Sequence, residues 1–212
     1  MSLLSAAKLR HSELQSFELD VPFRGKRAYL HFPDVYDELM LQLRRLHGHA
    51  ELTEIRMGFH RELSTQPLFV YGPAEGFGPS KAPALVLSLM VAGKPWTGAL
   101  YETTSPVLRR LPDSQSEVAE NVRIEGDKVT LSQPTGRPVM EELITMGKEY
   151  FKRRFSCEQF RFAKIVLSRP IETADSGKLI LDFRPRAQRA FLKASILLGT
   201  ETLGHCLGCA LI

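Results

Sequence analysis

From Ala84 to Ala92 the chain is almost continuously apolar; it breaks at Gly93-Lys94-Pro95-Trp96-Thr97-Gly98 and turns apolar again from Ala99 to Thr103. A run that short, answered after so few residues, pairs antiparallel with its return, because a parallel crossover needs a dozen or more residues. This reading places the single tryptophan, Trp96, in the turn. Val122 to Glu125, Gly126-Asp127 and Lys128 to Ser132 repeat the pattern as a second hairpin. Phe17, Leu19, Val21 and Phe23 alternate with polar residues, as do Ile55, Met57 and Phe59. The basic turn Arg24-Gly25-Lys26-Arg27 leads to a short strand at Ala28 to Phe32, and Leu68 to Tyr71, Phe160 to Leu167 and Leu179 to Phe183 add further strands.

Three stretches have helical spacing instead. Val35, Leu39, Leu43 and Leu46 recur after Asp34, a good N-cap, and stop at Gly48. Val139, Leu143, Met146 and Tyr150 line one face of a second helix, with Met140, Ile144, Gly147 and Phe151 beside it. A third is expected over about Arg186 to Leu198, ending at Gly199. Strands and helices mix without the regular alternation of a doubly wound sheet, so the class is α+β: a single domain, mostly antiparallel sheet, packed with two or three helices. The expected organisation is a weakly structured segment over 1–15, the α+β domain over 16–199 and a tail over 200–212.

The tail carries the most specific motif. Cys209-Ala210-Leu211-Ile212 has the form of a C-a-a-X box, a thiol four residues from the carboxyl end followed by small and aliphatic residues. One isoprenoid is a reversible anchor, so a second signal is expected, and S-acylation of Cys206 would supply it. The bland alternative is an apolar tail in which Leu203, Leu207, Leu211 and Ile212 pack on the domain.

Lys and Arg outnumber Asp and Glu by 28 to 24 and the pI is about 9.0, a mild bias toward anionic partners. Lys148, Lys152, Arg153 and Arg154 fall late in the second helix, and Arg184, Arg186, Arg189 and Lys193 lie near the third. On one face they would contact anionic lipid or nucleic acid. Three cysteines in 212 residues make no disulfide framework, the start of the chain lacks a signal-peptide run, and the longest apolar stretch, Ala82 to Ala92, is too short to span a bilayer. These features predict a non-enzymatic, lipid-anchored protein on the cytoplasmic face of a membrane, without cofactor or metal.

Two other classes compete. An enzyme or ligand-binding domain would assemble a site from distant residues such as His31, His60, Glu62 and the glycine-rich segment 72–79, and a nucleic-acid-binding module would use the basic residues alone. His47-Gly48-His49 with His60 or Glu51 is a weak metal candidate, and Cys206/Cys209 has the spacing of a zinc half-site or redox pair. The 72–79 segment lacks the Gly-Lys-Ser/Thr ending of a phosphate loop, and no Ser sits in a Gly-x-Ser-x-Gly elbow.

The order of elements resembles the matrix proteins of rhabdoviruses. The likeness is carried by the strand Phe17 to Phe23, the basic turn, Asp34-Val35-Tyr36, a helix running into Tyr150-Phe151 and Phe155-Ser156, and Ser176-Gly177-Lys178-Leu179-Ile180-Leu181-Asp182. The resemblance implies a compact α+β domain without catalytic activity that binds the inner membrane surface and the nucleocapsid and self-associates. A lysine-rich N-terminal arm and a Pro-Pro-x-Tyr motif, both usual in that family, are not in this sequence.

Overall fold

A computed structural model describes residues 14–75, 77–78, 82–156, 160–184 and 191–210, the side chains of Phe160, Phe191 and Ala210 apart. The chain divides into two compact units, Met1–Arg110 and Leu111–Ile212. Its α+β character is as read from the sequence: mostly antiparallel sheet with few helices.

The first unit holds β1 (Gln15–Glu18), β2 (Phe23–Arg24), α1 (Phe32–His47), β3 (Leu52–Phe59), β4 (Pro67–Pro73), β5 (Leu85–Val91) and β6 (Lys94–Glu102), with β7 (Arg110–Leu111) at its boundary. The sheet order is β1-β4-β6-β5-β3. The β5–β6 hairpin turns on Ala92 and Gly93, both at positive φ (47° and 75°), the primed geometry whose twist suits paired strands. Trp96 therefore lies in β6, opposite Pro73 and Leu89, and not in the turn. Leu85, Leu87, Leu89 and Val91 all point inward, and α1 turns Val35, Tyr36, Leu39, Met40 and Leu43 to the same core. Phe32 of α1 meets Phe59 of β3 edge to face at 4.2 Å.

Asp34 is not the N-cap of α1. That place belongs to His31, and Asp34 in the first turn accepts a forked pair of bonds from Arg24 Nε and Nη2. The strand expected over Phe17 to Phe23 ends at Glu18, after which Leu19 and Val21 are fully buried and donate their N–H groups to the Pro67 carbonyl and the Gln66 side chain. Of the strand expected over 28–32, Leu30 alone makes a bridge, to Phe23.

The second unit contains α2 (Gln115–Ala119), β8 (Val122–Glu125), β9 (Lys128–Leu131), α3 (Val139–Phe155), β10 (Phe160–Leu167), a 3-10 turn (Thr173–Asp175), β11 (Leu179–Arg184), β12 (Phe191–Leu198) and β13 (Glu201–Ala210). Its sheet order is β10-β13-β12-β11-β9-β8. Tyr150 of α3 stacks on Phe183 of β11 at 3.9 Å, which seats the helix on the inner face of the sheet.

Two expectations fail in this unit. The third helix is strand β12: Leu192, Ala194 and Ile196 point inward while Lys193 is exposed, a period of two that burial enforces against the helical propensity of Ala and Leu. Within the segment expected as a tail over 200–212, Glu201–Ala210 form β13, which pairs with β10 on one side and β12 on the other. Gly204 allows this crowding, because a Cβ there would lie 2.0 Å from the Val166 carbonyl oxygen.

Candidate active site

α3 begins after Pro138, which cannot donate but is well suited to the edge of a helix. Its first two turns are buried all round, including two adjacent acids, Glu141 and Glu142, each 1% exposed. A carboxylate that far from water is costly unless its oxygens are paired. Glu142 is fully provided for. Its Oε1 accepts from the Thr135 backbone N–H (3.1 Å), the Thr135 hydroxyl (2.7 Å) and the Ser176 hydroxyl (2.9 Å), and its Oε2 accepts from the Gly177 N–H (3.1 Å). Gly177 stands at φ 69° with Pro134 so close that a Cβ would meet the proline nitrogen at 2.7 Å. Glu142 is thus a structural knot tying α3 to the loops on either side of it.

Glu141 is different. Its Oε1 accepts a short bond, 2.6 Å, from the hydroxyl of Ser114, itself buried just before α2. Its Oε2 has no partner among the described residues, and neither has the hydroxyl of Thr145, which is 2% exposed. Residues four apart share a helix face with Cβ atoms about 5–6 Å apart, so the two unpaired groups lie on one face of α3. Lys148, next on that face, donates to Gln115 Oε1 of α2 at 3.0 Å. The arrangement holds a proton acceptor and a hydroxyl side by side in a dry environment, the ingredients of general acid–base chemistry.

In the first unit, the last turn of α1 presents His47 to an aromatic stack. Its Nε2 lies 3.0 Å from the Tyr71 hydroxyl, and its ring stands edge-on to Tyr71 and Trp96, which stack on each other at 4.9 Å. Burial lowers the pKa of His47 and raises that of Tyr71, so the pair is neutral and satisfied at neutral pH. It reads as packing.

The residues singled out from the sequence fall elsewhere. His31 is buried at the start of α1 with Nδ1 3.8 Å from Asp34 Oδ2, whereas His60 and Glu62 are exposed on the β3–β4 connection. His49 is exposed, and among the described residues no group of three or more His, Cys, Asp or Glu is placed to hold a metal ion. Lys152, Arg153 and Arg154 are exposed at the end of α3, while Arg184 and Lys193 face each other across β11 and β12 on the outer side of the sheet. The two groups do not form one face. Arg186 and Arg189 lie outside the described residues.

The lipid-anchor expectation is corrected by β13 itself. Cys206 is 2% exposed and its thiol is pushed up to about 12 by desolvation, so the thiolate that acylation requires is suppressed. Cys209 is paired on both sides, with Arg161 of β10 and Phe191 of β12, where a transferase would need an extended free end. The two thiols, three residues apart on a strand, point to opposite faces and form neither a metal half-site nor a redox pair.

No family model and no curated protein matches the sequence. Solved structures that it resembles include an acyl-ACP thioesterase from Bacteroides thetaiotaomicron (TM-score 0.45, 7% identity, 95% of this chain and 98% of that one). A putative oleoyl thioesterase from Lactobacillus plantarum follows (0.47, 10%, 96% and 98%), as does the dehydratase domain of PpsC from Mycobacterium tuberculosis (0.45, 6%, 93% and 93%). They are thioesterases and a dehydratase, where the order of elements in the sequence pointed to rhabdovirus matrix proteins. That expectation is corrected, since the segments behind it belong to two successive strand–helix–sheet units. With these TM-scores below 0.5, chemistry has to be read from the residues themselves.

The site residues that sequence reasoning missed are Glu141, Thr145 and Ser114. No sequence signal marks them: Val139, Met140, Leu143, Ile144, Met146, Gly147, Tyr150 and Phe151 fall on one side of the helix, and Glu141, Glu142 and Thr145 fall on the other, which reads as a solvated face.

Proposed function

We propose that the chain is an enzyme built from two hotdog-like units, each a long helix cradled by antiparallel sheet, and that Glu141 of the second unit is its general base. The observation that carries this is the buried, unpaired Oε2 of Glu141 beside the unpaired hydroxyl of Thr145. An orphaned buried carboxylate oxygen costs stability and is retained where chemistry uses it.

The substrate class proposed is an acyl thioester. Sulfur stabilises a carbonyl less than an ester oxygen or amide nitrogen does, so a thioester yields to water activated by one carboxylate. Glu141 Oε2 takes a proton from water as the water oxygen bonds to the carbonyl carbon; the Thr145 hydroxyl donates to the oxygen that gains charge. The carbon–sulfur bond then breaks and the protonated Glu141 returns its proton to the thiolate, leaving a carboxylic acid and a thiol. Ser114 fixes the carboxylate so that Oε2 is the free oxygen.

The test is thiol release from a panel of acyl-coenzyme A esters of increasing chain length. The native chain releases thiol, and Glu141→Gln lowers kcat by about 1,000-fold with an unchanged melting temperature. Equal turnover by native and Glu141→Gln proteins, or none by either, removes the proposal.

A further inference from the structure

Four strands of the second unit bring cations from distant parts of the sequence onto one line. Lys164 of β10 lies opposite Leu207 of β13, Leu207 opposite Lys193 of β12, and Lys193 opposite Arg184 of β11. Directly opposed residues share a face, and the inward neighbours Ile165, Cys206, Ala194 and Phe183 are buried, so this row crosses the outer face of the sheet. The three cations are exposed, and among the described residues none of them forms an ion pair.

The next row on the same face, two positions along each strand, runs Val166, His205, Ser195, Asp182 and Lys128. Lys193 and Lys164 stand close enough to His205 to help burial hold its imidazole below the ordinary range. Asp182 is the one acid in the two rows, and it lies opposite a further cation, Lys128.

Like charges directly opposed on a sheet are destabilising, and neutral residues would serve the ladder as well. Arg184 beside Lys193 is a cost that an anionic partner offsets. Strands stand about 4.8 Å apart, so charges fall at about 0, 10 and 14 Å along a line perpendicular to them, with Leu207 near 5 Å. An α-helix rising 1.5 Å per residue places positions i, i+7 and i+10 at about 0, 10.5 and 15 Å, with i+4 at about 6 Å. Single-stranded nucleic acid needs aromatic platforms, and the two rows contain no Phe, Tyr or Trp. A bilayer needs side chains that insert, whereas Leu207 and Val166 are half-buried in the sheet.

We propose that this outer face docks an acidic α-helix of a partner protein, laid across the strands so that carboxylates meet Lys164, Lys193 and Arg184 while an apolar side chain covers Leu207. The proposal is independent of the reaction assigned to Glu141.

The probe is a fluorescein-labelled, alanine-rich helical peptide with Glu at i, i+7 and i+10 and Leu at i+4, titrated with the full chain at low salt and read by anisotropy. Binding is expected to fall at least tenfold when the peptide's Glu residues become Gln, and at least tenfold in the Lys164→Gln/Lys193→Gln/Arg184→Gln protein. Lys193→Gln alone, relieving the like-charge pair, raises the melting temperature by about 1–2 °C. Unchanged peptide binding by the triple variant overturns the proposal, as does equal binding of the Glu and Gln peptides. Tighter capture of oligothymidylate or phosphatidylserine vesicles than of the Glu peptide through the same three residues also overturns it, by replacing the helix as occupant.

Discussion

The two halves of the chain repeat one plan, two short strands, a long helix and four more strands, yet order their last strands differently. In the first unit β4 neighbours β6, and β5 lies beyond it next to β3; in the second, β11 neighbours β12, and β13 lies beyond it next to β10. The connections differ to match. β6 stands between β4 and β5, whereas β11 and β12 are adjacent. What both orders preserve is an interior final strand, β6 or β13, with a partner on each side. That common requirement is why the terminal segment, read as a tether from its cysteines, is a sheet element.

The helices diverge more usefully than the sheets. Asp34, in the first turn of α1, is clasped by a forked guanidinium; Glu142, in the first turn of α3, collects four donors. Glu141 has one donor and an idle oxygen. The saturated acids at helix starts hold loops in place, and the unsaturated one is the base proposed above. The sharpest break of this contrast is Glu141→Gln, which keeps shape and burial. It is expected to cost about 1,000-fold in turnover, or about 4 kcal/mol of barrier, while the protein melts no earlier. Glu142→Gln should show the reverse balance, melting earlier because four donors lose a charged acceptor. Equal turnover losses with equal destabilisation in both variants would erase the distinction.

Glycines test the two units against each other. A Cβ on Gly204 meets backbone, the Val166 carbonyl oxygen and the Leu167 Cα, and neither can move without breaking the β10–β13 ladder. Gly204→Ala is expected to destabilise by about 3 kcal/mol. A Cβ on Gly98 meets instead the ring edges of Phe69 and Tyr71, which can shift slightly, so Gly98→Ala should cost about 1.5 kcal/mol. Urea unfolding of both variants measures the difference. A larger loss at Gly98 would mean that the aromatic stack is the more rigid of the two.

Hairpins and the two long helices were legible because each is specified locally: Ala84 to Ala92 before Gly93, and the doubled apolar face of α3. β12 was not, since Leu192, Ala194 and Ile196 are as compatible with a helix as with a strand until β11 and β13 claim both its edges. β13 was hidden by Gly204, Gly208 and the two cysteines, which read as a flexible, modifiable end although the glycines mark close backbone approach. Glu141 was passed over because its neighbour Glu142 and the capping preference for acids at helix starts give a sufficient local reason for both. Only Ser114, 27 positions away in sequence, reveals which oxygen is spoken for.

The smallest effect separates the units by pH. Burial holds His47 of the first unit below its ordinary pKa, and burial with Lys193 and Lys164 does the same to His205 of the second. In the unfolded chain both titrate near 6.5. Between that value and the lower folded one the unfolded chain binds more protons, so stability rises with pH in that window, is fully present above it and is lost as pH falls through it. Asp175, held below its ordinary range by Arg169, shifts in the same direction, but its contribution is lost only below the ordinary aspartate value. The melting temperature should therefore hold level from pH 8 to about pH 7 and decline gently from there to pH 5.5. His47→Gln and His205→Gln should each remove part of that slope, and the double variant most of it. A native protein whose melting temperature stays level over that interval would not contain two neutral imidazoles resisting protonation.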